Sequence, residues 1–253
     1  MNPPFSPPLE IIHSSNNQRL KEWRKLSQRK QRHRNKHFLV EGYHLIEEAL
    51  LANAEVKELI FSTPKVGALE AMVKRYRELP LSIRNVVDKG SVEITFLEER
   101  LFNELFNLPA PQGIGALIGF NHEVRMGGDG TLLLLDRIQD PGNLGTIIRT
   151  ATAAGFGGIY LGEGSVDPYN EKVIRATQGA LFHLPLVESD LAHLLPQLKR
   201  QGYTIWATDL RGAKSYHQLP VPKQVALILG NEGSGVAPSL VKEADQAVKI
   251  PHF

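Results

Sequence analysis

With 253 residues, 42% apolar and 22% charged, the chain is long enough for two modest globular domains and too apolar to be a disordered tail. No apolar run approaches the ~20 residues of a membrane helix, and the absence of cysteine excludes disulfides and thiolate-bound zinc. The net charge of +2 conceals a concentrated basic segment. Between Arg19 and Lys36 nine cations (Arg19, Lys21, Arg24, Lys25, Arg29, Lys30, Arg32, Arg34, Lys36) meet one acid, Glu22, and the rest of the chain has 20 basic against 26 acidic residues.

The opening Met1-Asn-Pro-Pro-Phe-Ser-Pro-Pro8 lacks the basic start and apolar stretch of a secretory signal, so a flexible arm over 1–12 and a cytoplasmic location are expected. Residues 17–34 read as one basic helix with Leu20, Trp23 and Leu26 along its apolar edge. Few acids stand at helical spacing to offset these cations, so a polyanion is the expected partner rather than a solvated face. His33 and His37 have the spacing of metal ligands on a helix but no third ligand nearby, and no metal is expected.

A strand over 38–40, a helix over 42–53, a strand over 56–62, a helix over 67–78, a strand over 83–87, a helix over 97–106 and a strand over 113–120 complete a small α/β unit. The Gly-rich polar stretch 121–130 reads as a linker, which gives domains at 1–120 and 131–253. Beyond it, apolar strands over 132–135, 158–161, 203–208, 225–229 and 247–250 alternate with helices over 144–154, 170–181, 191–201 and 238–244. That pattern predicts a parallel sheet covered on both faces, with ligands at the carboxyl ends of its strands.

Two segments fall at such ends. In Asp140-Pro-Gly-Asn143-Leu-Gly-Thr-Ile-Ile-Arg149-Thr-Ala-Thr-Ala-Ala-Gly155, Asn143 reads as the helix N-cap, Ile147, Ile148, Ala151 and Ala154 as a buried face, and Gly155 as the stop. Arg149 is either a snorkelling surface residue or a partly buried cation that holds an anion. In Leu229-Gly230-Asn231-Glu232-Gly233-Ser-Gly235 the glycine spacing is neither that of a dinucleotide fingerprint nor that of a P-loop. Three glycines around a glutamate suggest close approach of the backbone to a flat ligand.

In this order and strand context, the two segments resemble the first two signature motifs of the SpoU/TrmH family of RNA 2′-O-methyltransferases. Residues 12–42 resemble the substrate-binding domain, similar to a small RNA-binding ribosomal protein, that precedes the catalytic domain in many members. The resemblance implies an α/β fold whose C-terminal parallel-sheet domain carries a deep trefoil knot, preceded by a small α/β RNA-binding domain. It further implies S-adenosylmethionine as cofactor, a homodimer built through the catalytic domain, and methylation of a ribose 2′-hydroxyl, in 23S ribosomal RNA. A transfer RNA methyltransferase and a non-catalytic RNA-binding ribosome factor of the same fold are the alternatives.

Carried over residue by residue, the cofactor pocket is expected at Thr208, Leu229, Gly230, Asn231, Gly233, Ile250 and Pro251. Arg149, Asn143 and Glu232 are the expected catalytic residues, with Glu232 orienting Arg149 or the incoming nucleotide. The nine cations of residues 19–36, and Arg175, are the expected RNA contacts. The family proposal that the Arg is a general base conflicts with a guanidinium pKa above ~12, and clamping of phosphate or of a developing alkoxide is at least as compatible. Family members continue past the Ile-Pro strand into a third motif containing Ser-Leu-Asn-Val, which closes the pocket, completes the knot and builds much of the dimer interface. This sequence stops at Phe253, so the pocket near Gly230 and Ile250 is expected to be open on one side.

Overall fold

The computed structural model describes residues 11–64, 68–120, 130–211 and 214–251. The chain divides into two compact units, Met1–His122 and Glu123–Phe253. Most of the expected N-terminal arm (1–10) and of the expected linker (121–129) lie outside the described residues.

The first unit runs β1 (Ile11–Ile12), α1 (Gln18–Lys25), α2 (Arg29–Asn35), β2 (His37–Glu41), α3 (Tyr43–Leu51), β3 (Val56–Thr63), α4 (Ala68–Glu78), α5 (Leu81–Asp88), β4 (Glu93–Glu98), α6 (Glu99–Phe106) and β5 (Ile114–Gly119). Its sheet has the order β1-β4-β3-β5-β2, with β1, β4 and β3 parallel and β5 antiparallel to both of its neighbours. Ile12, Leu20, Trp23, Ile60, Leu97, Leu101 and Phe102 form one core beneath α1 and α6.

Here the structure corrects the sequence reading in several places. Residues 17–34 form two helices, not one. Asn17 caps α1 by accepting from the Arg19 and Leu20 amides. The chain then turns at 26–28, and the buried Arg32 of α2 (5% exposed) reaches back to donate to the carbonyls of Leu26 (2.7 Å) and Ser27 (2.8 Å). The Leu26 carbonyl, at the C-cap of α1, is one that a helix end leaves without a partner. Residues 83–87, expected as a strand, lie in α5. Pro80 stands just before that helix, and Ile83 and Val87, four residues apart, point into the core. The real strand is β4, whose buried Thr95, Phe96 and Leu97 are flanked by exposed Glu93 and half-buried Glu98. Ile11 and Ile12, counted in the arm, pair with Phe96 and Leu97 of β4.

The second unit runs β6 (Leu132–Asp136), α7 (Pro141–Ala153), β7 (Gly158–Gly162), α8 (Glu171–Thr177), β8 (Leu186–Ser189), α9 (Leu191–Arg200), β9 (Thr204–Thr208), β10 (Lys214–Ser215), β11 (Val225–Gly230), α10 (Pro238–Glu243) and β12 (Gln246–Lys249). All seven strands are parallel, in the order β10-β12-β9-β11-β6-β7-β8. Leu132 to Leu135 are buried along the whole of β6, as a central strand covered on both faces requires. The helix expected over 170–181 ends early. Gln178 (φ 49°) and Gly179 (φ 90°) turn left-handed, and a short 3-10 turn, Ala180–Phe182, follows. Strands β8 and β10 went unread because one shows no buried apolar run and the other has two residues.

From β6 the chain steps outward through β7 and β8 on one side of the sheet. Strands β11, β9, β12 and β10 occupy the other side. The reversal point lies between β6 and β11, where parallel sheets hold their ligands at the carboxyl ends.

Candidate active site

At that point two loops meet, one leaving β6 and one leaving β11. The β6 loop enters α7 with Pro141 in its first turn, and the N-cap is Asp140, whose carboxylate accepts from the Asn143 amide at 2.8 Å. Asn143, expected as the cap, instead lies inside the first turn with an exposed side chain. The buried face of α7 is Leu144, Gly145, Ile148 and Ala151, while Ala154 is exposed. A Cβ on Gly145 would stand 2.3 Å from the Ala176 Cβ, so α7 and α8 pack at a distance that only glycine allows. Gly155 follows with φ 72° and ends the helix. Asn143, Thr146, Arg149 and Thr150 share the exposed face, with Asn143 and Arg149 about 9 Å apart along the axis at 1.5 Å per residue. Among the described residues the Arg149 side chain makes no hydrogen bond or ion pair, which resolves the sequence alternative in favour of an exposed cation.

Glu232 joins the loops. Its carboxylate accepts from the amides of Gln139 (3.2 Å) and Asp140 (3.1 Å), and from the Asn143 side-chain amide (3.1 Å). A longer contact comes from Asn231 Nδ2 at 3.4 Å. Burial alone would raise its pKa, but the donors together outweigh that: its own backbone amide, Asn143, Asp140 and Gln139 hold it down at about 2. Arg149, one of the two groups Glu232 was expected to orient, is not among these partners. The carboxylate is committed to the 139–143 turn, and through that turn it fixes the start of the helix that carries Arg149.

The three glycines of the β11 loop do different things. A Cβ on Gly230 would fall 2.0 Å from the Val236 amide nitrogen, so this glycine lets the loop fold back on itself. Gly235 needs its φ of 70°. A Cβ on Gly233 would meet nothing nearer than 3.6 Å, and one on Gly235 nothing within 4 Å, so at these two positions there is room for an approaching ligand. Asn231, expected to touch cofactor, has its side chain directed into the loop. Its Oδ1 accepts from the Gly233 and Ser234 amides, and its Nδ2 donates to the Arg137 carbonyl at 3.0 Å.

The remaining pocket residues do converge. Thr208, Leu229–Gly230 and Ile250 stand at the carboxyl ends of β9, β11 and β12, which are neighbours in the sheet. The ladder of β11 with β9 ends at Ile228↔Ala207, whereas its ladder with β6 continues to Gly230↔Asp136. Leu229 and Gly230 therefore lie beyond the ladder with β9, which leaves a backbone notch beside Thr208, whose hydroxyl donates to the Ile228 carbonyl at 3.1 Å. Leu210 (71% exposed) and Ile250 (52%) offer apolar side chains at the same strand ends, and Pro251 is exposed beside Ile250. A notch of amides and carbonyls flanked by apolar side chains suits the edge and faces of an adenine. The donor set thus fits the nucleoside part of S-adenosylmethionine.

The expected RNA contacts separate into two groups. Arg19 pairs with Glu58 and Glu93 and lies 5.7 Å over the Trp23 ring, and Arg24 pairs with Glu104 at 2.8 Å. Arg19 and Arg24 thus share their charge with acids of the first unit, and Arg32, buried against the Leu26 and Ser27 carbonyls, is not available as an RNA contact. Lys21, Lys25, Arg29, Lys30, Arg34 and Lys36 are exposed. Arg175 is half-buried, 3.8 Å from Glu171. The residues that sequence reasoning missed are Asp136, Arg137 and Asp140. A carboxylate ending an apolar strand was a usable signal for Asp136, but nothing marked Arg137.

Comparison with known proteins agrees with this layout. Residues 130–253 match the SpoU rRNA Methylase family, and residues 17–116 match the MRM3-like substrate binding domain. The 23S rRNA (guanosine(2553)-2′-O)-methyltransferase RlmP of Bacillus subtilis (strain 168) is 35% identical over 245 residues, 97% of this chain and 92% of that protein. The AdoMet-bound rRNA methyltransferase from Sinorhizobium meliloti superposes with a TM-score of 0.81 at 28% identity, covering 97% of this chain and 90% of that one. The SpoU methyltransferase AviRb from Streptomyces viridochromogenes, in complex with AdoMet, gives 0.79 at 26% identity, covering 94% and 90%. Similarity that spans both units at this level places the chain in the SpoU rRNA methylase family.

Proposed function

We propose that this protein transfers a methyl group from S-adenosylmethionine to a ribose 2′-hydroxyl of ribosomal RNA, with 23S rRNA as the substrate. The observation that carries the reading is the junction of the β6 and β11 loops. There Glu232 fixes the 139–143 turn, beside the backbone notch of Leu229 and Gly230. The 35% identity with a 23S rRNA 2′-O-methyltransferase supports the same substrate class.

Bound S-adenosylmethionine would supply an electrophilic sulfonium methyl, and the chain's task is to position the attacking oxygen. Leu229, Gly230, Gly233, Thr208, Ile250 and Pro251 hold the cofactor, and Asn231 shapes their loop from within. Asn143, its amide committed to Glu232, presents its carbonyl oxygen to the ribose. Arg149 clamps a phosphate with its planar guanidinium and stabilises the oxygen as its negative charge develops, while the proton leaves to solvent. Lys21, Lys25, Arg29, Lys30, Arg34 and Lys36, with Arg175, grip the RNA backbone.

The same reading includes domains at 1–120 and 131–253, a homodimer through the catalytic domain, a trefoil-knotted C-terminal domain and a cytoplasmic location. Two observations are compatible with it. No helix among the described residues is long and apolar enough to cross a membrane. The last strand, β12, enters the sheet between β9 and the earlier β10, so the chain passes between segments already laid down. Mapping ribose methylation in ribosomes from cells with and without the gene tests the function. One 2′-O-methylated nucleotide of 23S rRNA should disappear with the gene, and an unchanged map would defeat the proposal.

A further inference from the structure

Arg137 belongs to no motif read from the sequence, yet it stands where the two site loops meet. It is one of five non-glycine residues with positive φ among the described residues (φ 57°), a conformation that disfavours a Cβ. Such a backbone persists where the surroundings fix it. Here Arg137 lies beside Asp136, a carboxylate 6% exposed at the end of β6. Its Nε and Nη2 each reach one Asp136 oxygen at 3.1 Å, the two-pronged geometry of a guanidinium on a carboxylate. The Asp136 hydrogen bond holds the guanidinium pKa above its ordinary value.

The pair then reaches the β11 loop at three points. Asp136 accepts from the Ala237 amide at 2.7 Å. The Arg137 carbonyl accepts from Asn231 Nδ2 at 3.0 Å. Nη2 makes a longer contact, 3.4 Å, with the Gly235 carbonyl. Residues 231 and 235 are the ones that close the loop, exchanging Asn231 N–H to Gly235 O (3.1 Å) and Gly235 N–H to Asn231 O (2.9 Å). Arg137 also backs onto the loop after β7, where a Cβ on Gly164 would stand 3.3 Å from its Cγ.

We propose that Arg137 is a positioning residue, which with Asp136 locks the 231–235 loop in the conformation that brings Glu232 to the 139–143 turn and keeps the Leu229–Gly230 notch open. The proposal rests on the functional reading above for what the loop serves, but not for the lock itself. It acts through the loop and needs no contact with RNA or cofactor.

The test uses the full chain and three variants. Arg137→Gly tolerates the left-handed backbone and removes only the side chain, Arg137→Ala keeps a Cβ on that backbone, and Arg137→Lys keeps the charge without the fork. Two readouts are taken: hydrogen exchange of the Asn231 and Gly235 amides without cofactor, and S-adenosylmethionine affinity by calorimetry. The expected result for Arg137→Gly is exchange at those two amides at least about tenfold faster and a dissociation constant about tenfold higher. Exchange in β6 and β9 should be unchanged, and Arg137→Lys should restore neither readout. Unchanged exchange and affinity in Arg137→Gly would overturn the proposal. So would acceleration spread evenly over the second unit, the mark of a general structural role. If the native chain itself fails to bind S-adenosylmethionine, the functional reading falls, and the exchange experiment still decides the lock.

Discussion

The basic segment of the first unit and the Arg149 helix of the second place cations in opposite circumstances. In the first, nine cations looked uncompensated because few acids lie near them in sequence. The fold nevertheless brings Glu58, Glu93 and Glu104 to Arg19 and Arg24, and turns Arg32 inward to cap α1. In the second, Glu232 was expected to orient Arg149 or the incoming nucleotide, and the fold commits its carboxylate to the turn and leaves Arg149 exposed. Charge counted along the chain is a poor guide to charge available for a ligand. The cation whose side chain has no partner among the described residues of a committed site is the informative one.

The largest expected effect tests that contrast at Arg149. Arg149→Ala should lower kcat by about 10²–10³-fold, the cost of removing one preorganised donor from developing charge, with S-adenosylmethionine affinity nearly intact. Arg149→Lys should rescue poorly for want of the planar fork. Normal turnover with a lowered Tm would make Arg149 structural and abolish the contrast.

Arg32→Ala should act on the fold instead. It leaves the Leu26 and Ser27 carbonyls without their guanidinium, a loss of about 2–4 kcal/mol from the first unit that differential scanning calorimetry would resolve. A stable Arg32→Ala variant with weakened RNA binding would return this residue to the RNA-facing group.

Glu232→Gln should lower kcat/KM by about ten- to hundredfold through misplacement of the 139–143 turn. Since Glu232 does not bond to Arg149, its effect should combine nearly additively with Arg149→Ala in a double-mutant cycle. Strong coupling would restore the direct link expected from sequence. Glu232 also carries a pH signature. Its pKa is depressed from 4.5 to about 2, so its stabilising bonds are present above 4.5 and lost as pH falls through about 2, a change that urea titrations across that window should detect.

Reversal of Lys25, Lys30 and Arg34 to Glu, all exposed, should reduce the slope of log affinity against log salt by about 2 for single-stranded RNA, at roughly 0.7 per phosphate contact. An unchanged slope would mark the segment as a solvated face.

What the sequence disclosed follows the range of the forces involved. The βα alternation of the second unit was legible because Leu132–Asp136 and Val225–Gly230 bury strand residues on both faces and declare themselves by composition. The α5 segment was misread because Ile83, Val86 and Val87 are β-branched in a short stretch, and only the contacts of Ile83 and Val87 with the core decide for helix. Around Asp140 and Asn143 both residue types are good caps, and Pro141 decided the register by standing one residue after the true cap. The glycines announced a tight loop but not which of them serves the loop's own return. That depends on Val236, and the role of Arg137 depends on its contact with Asn231, 94 residues away. Pairings across such separations leave no local pattern to read.

The most direct test of the whole account is methyl transfer in a defined mixture of the purified chain, unmodified 23S rRNA and S-adenosylmethionine labelled in its methyl group. Digestion to nucleosides and mass spectrometry should show the label in a single 2′-O-methylnucleoside, absent with Arg149→Ala. Label on a base, or no transfer by a chain that binds both RNA and cofactor, would contradict it.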